Sequence, residues 1–506
     1  GCGEDPAEPT PVKAELGAYA RCSYETHVGG FEMTLKEAYT SVLGTVTDRV
    51  RPSDVPEATL SEAGCELLRP KTLFCDPMCP GGQTCGDDGS CVPLPSNQDV
   101  GVVTIIATDW NAAPADEVYV EGKLVFDGVT YDNVGIRYKG SAGAWIFCTS
   151  TSTPLNPWDF SGSKTCPKLS FKISFNKYDP EGRFFGVKKL LFHSMNQDPS
   201  MMRERLAYHM FRAMDVPAPR AVHMRLLING ELAGLFVNVE YIDGRFTRSR
   251  FDDGKGNLYK EVWPTWNDMT PPLTEERLMA GLRTNEDEDP SFEKMLTFGH
   301  AMQGDDAARA EAMAYWMDLE HTQRFIAVDR TIRADDGPFH FYCSDDGCSN
   351  HNFYIYEEAN KDRLYLVPWD LDHAFTVLGG GLGGGADEFV TVVDTWHDTS
   401  IPCVPHAGAG SFTPWQMPPS CDPLFRTSGS TYKDLYQDAV GELLDGPFSE
   451  ESVGDLLAAW TNQISDAVDE VHQVDPEQVG GWEWIEALSD LNARIEYLRE
   501  QAYGEL

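Results

Sequence analysis

No stretch of about 18 consecutive apolar residues occurs anywhere in this 506-residue chain, so it encodes no transmembrane helix. Basic residues are scarce: 40 Lys+Arg stand against 80 Asp+Glu, a formal net charge of −40. A chain this acidic lacks the cationic footprint that a phosphate backbone demands, and nucleic acid is not an expected partner. The glycine turn "GSAGA" is neither GxxxxGK[ST] nor a full GxGxxG, and there is no internal repeat or long low-complexity tract. The cysteine run "CDPMCPGGQTCGDDGSC" lacks the paired CxxC knuckles of a zinc module.

Apolar residues make up 42% and aromatic residues 11%, enough for a sizeable core in two or three domains, or one large domain with appendages. The acidity is uneven. From Tyr131 to Lys260, 19 Lys+Arg outnumber 12 Asp+Glu, a basic island suited to a small anionic ligand. Of the 13 cysteines, Cys2 stands apart, and the other 12 lie in local clusters that would pair as about six disulfides. That pattern fits an oxidising compartment better than zinc.

The N-terminal "GC" before a polar, Pro-rich stretch resembles a bacterial lipoprotein. This implies an acylated Cys2, a membrane contact through that residue only, and a secreted, lipid-anchored protein of the cell envelope. Residues 1–16 read as a tether, and 17–98 as a cysteine-rich module ending in an EGF-like knot from Cys75 to Cys91. "GVVTIIATD", "EVYVEGKLVFDGVTYDNVGIRYKG" and "CPKLSFKISF" alternate apolar and polar residues and read as hairpin-linked strands. "DPSMMRERLAYHMFRAMDVPAPR" reads as a helix with Asp198 as N-cap and Pro199 at its first position. Met202, Leu206, Met210 and Met214 form its core stripe, and Pro217 and Pro219 stop it. A hairpin turns at Asn229-Gly230, a helix spans about 306–327, two strands cover "HNFYIYEE" and "RLYLVPWD", and the chain is helical from Thr431 on. Gly379 to Gly385 form a loop.

Chemistry concentrates at a few places. "VPWDLDHAF" brings an apolar strand up to Asp370 and Asp372, which on an extended segment point to the same side. Such a pair of carboxylates suits a hard cation, Mg²⁺ or Ca²⁺. Upstream lie Asp335 and Asp336 in "ADDG", then Asn352 opening a strand. A helix, an Asp in a loop, an Asn and a strand-ending Asp follow one another in the order that protein kinases use. Arg137 and Lys139 lead into the glycine turn of "RYKGSAGA", and Lys168 and Lys172 read as one face of a strand, with Glu204 on the following helix as an ion-pair partner.

The stretches "VGIRYKG", "KLSFKISFNKYDPEGRFFGVKKLLFHSMNQDPSMMRERLAYHMFRAMDVPAPR", "INGELAGLFVNVEYID", "GNLYK", "HNFYIY" and "VPWDLD" together resemble the CotH kinases, spore coat protein H-like atypical protein kinases, over roughly 100–500. The resemblance implies an α+β, kinase-like two-lobed fold over 99–506, with an N-lobe to about 245 and a C-lobe from 246. It implies ATP and Mg²⁺ (Mn²⁺ or Ca²⁺ as substitutes), and transfer to Ser/Thr of a protein substrate, basic and Ser-rich, by a monomeric enzyme. Asp336 is then the catalytic Asp, preferred to Asp335 for the glycine after it. Asn352 and Asp370 are metal ligands, with Asp372 a second candidate. Lys168 or Lys172 holds the phosphates, and Glu240 lies at the hinge to the adenine. The interval from Asp336 to Asn352 is longer than in ordinary kinases because it contains Cys343 and Cys348. A second expectation is a non-catalytic kinase-like surface scaffold or adhesive protein with structural Ca²⁺ or Mg²⁺.

Overall fold

The computed structural model describes residues 118–506 apart from 127–128, 141–144, 157–158, 167, 376–392 and 407–414. Before residue 118 it describes three strands: β1 (Gln83–Cys85), β2 (Cys91–Pro93) and β3 (Gly101–Ala107). The tether, most of the cysteine-rich module, its EGF-like knot and the glycine tract 379–385 lie outside the described residues. The fold mixes helix and sheet, as α+β requires, in two compact units. The chain passes between them after residues 196, 221, 239, 454 and 481, whereas the sequence reading draws one boundary near 245.

The first unit is built on a closed barrel. Its strands are β3, β4 (Val120–Phe126), β5 (Val129–Tyr138), β6 (Phe171–Ser174), β7 (Lys189–His193), β8 (Ala221–Ile228) and β9 (Glu231–Val239), in the order β3-β4-β5-β6-β7-β9-β8. Parallel pairing of β3 with β8 closes it. Alternation along the strands decides the two faces. Ile136, Phe171 and Ile173 turn into a buried core with Leu124, Phe192 and Phe236. Each such side chain gains about 1.5–3 kcal/mol on leaving water. Arg137 and Lys172 alternate with the inward residues and stay half-buried. The β8–β9 turn falls at Asn229 (φ 53°) and Gly230 (φ 88°), two left-handed residues, the signature of a type I′ hairpin. A Cys148–Cys166 disulfide closes the excursion between β5 and β6.

The second unit holds a sheet of β10 (Asn257–Lys260), β13 (Phe353–Glu357) and β14 (Leu364–Pro368), antiparallel in the order β10-β13-β14. A smaller sheet, β12 (Gly347–Ser349), β11 (Phe341–Ser344) and β15 (Trp415–Met417), carries the Cys343–Cys348 disulfide, and Cys403–Cys421 lies beside β15. Helices supply most of the rest.

Two helical expectations need correction. The helix after Asp198 begins only at Arg203, with Met202 as N-cap. Asp198 instead folds a turn back on Ser200, and its carboxylate accepts the Arg203 amide (2.8 Å). It therefore serves the helix end from outside the capping position. The single helix expected over 306–327 is two, Asp306–Trp316 and Leu319–Thr331. Asp318 divides them because its carboxylate accepts the His321 amide (3.1 Å) and starts a new first turn. The core stripe is as expected: Met202, Leu206, Met210 and Met214 are buried, with Ala207 and Phe211. Phe211 packs on Phe325 with ring centroids 5.2 Å apart. Phe211→Ala should cost about 3–5 kcal/mol, read as a lowered denaturation midpoint at unchanged slope.

Candidate active site

The helical unit gathers the acidic candidates. Asp336 follows the end of helix Leu319–Thr331, and Asn352 immediately precedes β13. Asn352 Nδ2 donates to both the Asp336 carbonyl (2.9 Å) and its Oδ2 (3.0 Å). Oδ1 receives the Tyr342 hydroxyl (2.6 Å) and His351 Nε2 (2.8 Å). Burial works to raise the Asp336 carboxyl, but the hydrogen bond and charge of His351, the Tyr342 hydroxyl and the charge of His373 outweigh it, and it is held below its ordinary range. For His351 burial works downward, and Asp336, Glu261 and Asp370 reverse it, so the imidazole is pushed up.

The backbone here is unusual. Asp336 (φ 69°), Asn352 (φ 61°) and Asp370 (φ 55°) all lie in the left-handed region, as does Glu261 (φ 56°). Asp and Asn tolerate this conformation better than other side chains, yet it is disfavoured and tends to collect at functional sites. It also corrects the reading of Asp370 and Asp372. β14 ends at Pro368, so the two are not alternating residues of an extended strand. The left-handed step at Asp370 and the turn containing Asp372 place them.

Their charges nevertheless converge. The Asp370 amide donates to the Tyr208 hydroxyl (3.0 Å). Burial pushes that phenol well up, and the charges of Glu204, Asp370 and Asp372 push it further. Glu204, buried one turn before Tyr208, thus shares a neighbourhood with both aspartates. Each of these carboxylates, like the Asn352 side-chain carbonyl, offers an oxygen of the kind a hard divalent cation takes.

Of the adjacent aspartates, Asp335 is buried and bonds His340 Nε2 (2.8 Å), while the Asp336 side chain keeps 23% exposure. Glu240, expected at a hinge, has its carboxylate bound by Arg220 (2.8 and 3.0 Å) and Arg250 (2.8 Å). Burial opposes these two guanidinium groups but they prevail, and its pKa falls to about 2.

The barrel unit carries the cations. β6 does not reach back to Lys168, so Lys168 and Lys172 do not share a strand face. Lys168 is buried, its Nζ donating to the Leu235 carbonyl (2.6 Å) and lying 5.2 Å from the Phe236 ring centre. Lys172 is instead the cross-strand partner of Arg137. Lys139 Nζ donates to His193 Nε2 (2.5 Å).

Sequence reading missed Tyr208, Glu261, Tyr342 and His351. His351 had a signal, its place beside Asn352 in "HNFYIY"; Tyr342 had none, because only pairing of β11 brings it to Asp336.

The α+β fold and the asparagine-linked aspartate are the setting in which the family membership of the chain is read. The chain belongs to the family described as CotH kinase protein, whose model matches residues 136–502. It is 33% identical over 105 residues to the inner spore coat protein H-like protein of Bacillus subtilis (strain 168), covering 21% of this chain and 32% of that one. It is 23% identical over 211 residues to inner spore coat protein H of the same organism, covering 40% of this chain and 54% of that one. The chain thus spans about a third and about half of these two relatives. A chain of the Shewanella oneidensis MR-1 toxin–antitoxin complex of HipA, HipB and operator DNA aligns over 77% of this chain and 78% of its own, at 10% identity and a TM-score of 0.27, a score too low to carry a structural argument.

Acid titration tests the Glu240 cluster. A depressed carboxylate contributes stability that is present above its unfolded value, near 4.5, and is lost as pH falls toward about 2. The contribution is roughly 3 kcal/mol. Glu240→Gln should be less stable at pH 7 and lose the pH dependence between 4.5 and 2, measured by denaturant unfolding across that window.

Proposed function

We propose that this chain is an extracytoplasmic, ATP- and Mg²⁺-dependent protein kinase that phosphorylates Ser/Thr, with its two units serving as the lobes of a kinase-like fold. The observation that carries the reading is the pair of hydrogen bonds that Asn352 Nδ2 donates to the Asp336 carbonyl and carboxylate, made between two left-handed residues. It ties a metal-ligating type of side chain to the group that would receive the substrate hydroxyl. A carboxylate has about four lone-pair sites. Three donors reach Asp336, which leaves one direction for the incoming hydroxyl. Held ionised, Asp336 orients that hydroxyl and takes its proton as the oxygen bonds to the γ-phosphorus of ATP and the bond from that phosphorus to the β,γ-bridging oxygen breaks, releasing ADP.

Asn352 and Asp370, with Asp372 beside them, are the residues that would hold Mg²⁺, which when bound neutralises charge on the phosphates. In the barrel unit, Arg137, Lys139 and Lys168 or Lys172 are the candidates for binding nucleotide phosphates. A net charge of −40 favours basic, Ser-rich acceptors through long-range attraction. Disulfides at Cys148–Cys166, Cys343–Cys348 and Cys403–Cys421 support a setting outside the reducing cytoplasm.

Incubation with radiolabelled ATP, a generic basic protein and the enzyme itself should label an acceptor. Asp336→Asn and Asp370→Ala should lower transfer by at least about a hundredfold while the fold is retained. A well-folded chain that shows no thermal shift with any nucleotide plus Mg²⁺ or Mn²⁺ would overturn the reading and favour a non-catalytic scaffold.

A further inference from the structure

We propose that Tyr342 is a positioning residue for Asp336, and that the disulfide-bearing sheet β12-β11-β15 holds it there. This rests on the reading of Asp336 as the group that receives the substrate hydroxyl. The interval between Asp336 and Asn352, too long for an ordinary kinase, is occupied by β11 and β12. Tyr342 lies on β11, the central strand, opposite Ser349 on one side and Gln416 on the other. The next residue, Cys343, is both the cross-strand partner of Cys348 and its disulfide partner, with Cα atoms 3.9 Å apart. The outer strand β15 is followed by Cys421, bonded to Cys403.

The ring is fixed as well. It stacks on His340 (5.8 Å, 24°) and on His351 (5.1 Å, 27°). Asp335 anchors His340 and Asp336 anchors His351, each at 2.8 Å. Tyr342 is half-buried, and its hydroxyl is committed to the Asp336 carboxylate. The geometry makes the bond specific, and its effect on Asp336 is asymmetric. Oδ1 takes Tyr342 and His351, filling both of its lone pairs, whereas Oδ2 takes Asn352 Nδ2 alone. The structure therefore assigns Oδ2 as the oxygen that meets the substrate hydroxyl, with Tyr342 preventing the carboxylate from rotating.

Tyr342→Phe should lower kcat about tenfold or more, with KM for ATP changed less than about twofold and an unshifted melting temperature. The double variant Cys343→Ser, Cys348→Ser should move kcat the same way by a smaller factor. A signature independent of turnover is the ¹³Cζ resonance of Tyr342 in tyrosine-labelled protein, identified by its loss in Tyr342→Phe, which should shift in Asp336→Asn. Three results would overturn the proposal: kcat of Tyr342→Phe within twofold of wild type, a loss carried by KM or melting temperature, or an unmoved resonance. Wild-type protein that transfers no phosphate defeats the kinase reading, and with it this role, even where the resonance shows that the bond exists.

Discussion

The bond from Asn352 to Asp336 is the constraint on which the rest of the acidic centre depends. It joins the loop after a buried helix to the start of the strand β13, and it requires both residues to adopt left-handed backbone. Such conformations cost roughly 1–2 kcal/mol each for an ordinary L-residue, somewhat less for Asp and Asn. They persist only where the surroundings fix them. Here helix Leu319–Thr331 lies on one side and the pairing of β13 with β10 and β14 on the other. Asp370, at the end of β14, is drawn into the same conformation. The framework therefore holds strained residues in place.

Negative charge gathers in the helical unit at Glu204, Asp336, Asp370 and Asp372. Within the helical unit the compensation is local. His351 and His373 act on Asp336, and two arginines hold Glu240 ionised although it is buried. Tyr208, by contrast, is a neutral hydroxyl surrounded by negative charge. It accepts a backbone hydrogen bond there without adding to the repulsion.

Much of this was legible in the sequence. Strands of the barrel show as alternation, the Asn229-Gly230 turn as a dipeptide with only one favoured hairpin conformation, and the buried face of helix Arg203–Ala213 as a four-residue rhythm. Asp336, Asn352 and Asp370 were visible through their order along the chain. What failed was local extrapolation. Lys168 was placed on a strand that starts three residues later, and Asp370 with Asp372 on a strand that had already ended. Periodicity reports a face only while the regular element lasts, and residues that do chemistry tend to stand just beyond its end. Asp318 shows the same limit for helices, where a single capping carboxylate divides one apparent run into two. Tyr342 was beyond reach because its contact depends on tertiary pairing.

The repeated passage of the chain between units has an evolutionary consequence. Neither unit is a contiguous piece of gene. The barrel needs Val222–Val239 and Asp455–Gly481 as well as the residues before 197, and the helical unit takes up the intervals. Recombination that moved one unit into another protein would leave strands of the other behind. Such a fold has to be inherited whole.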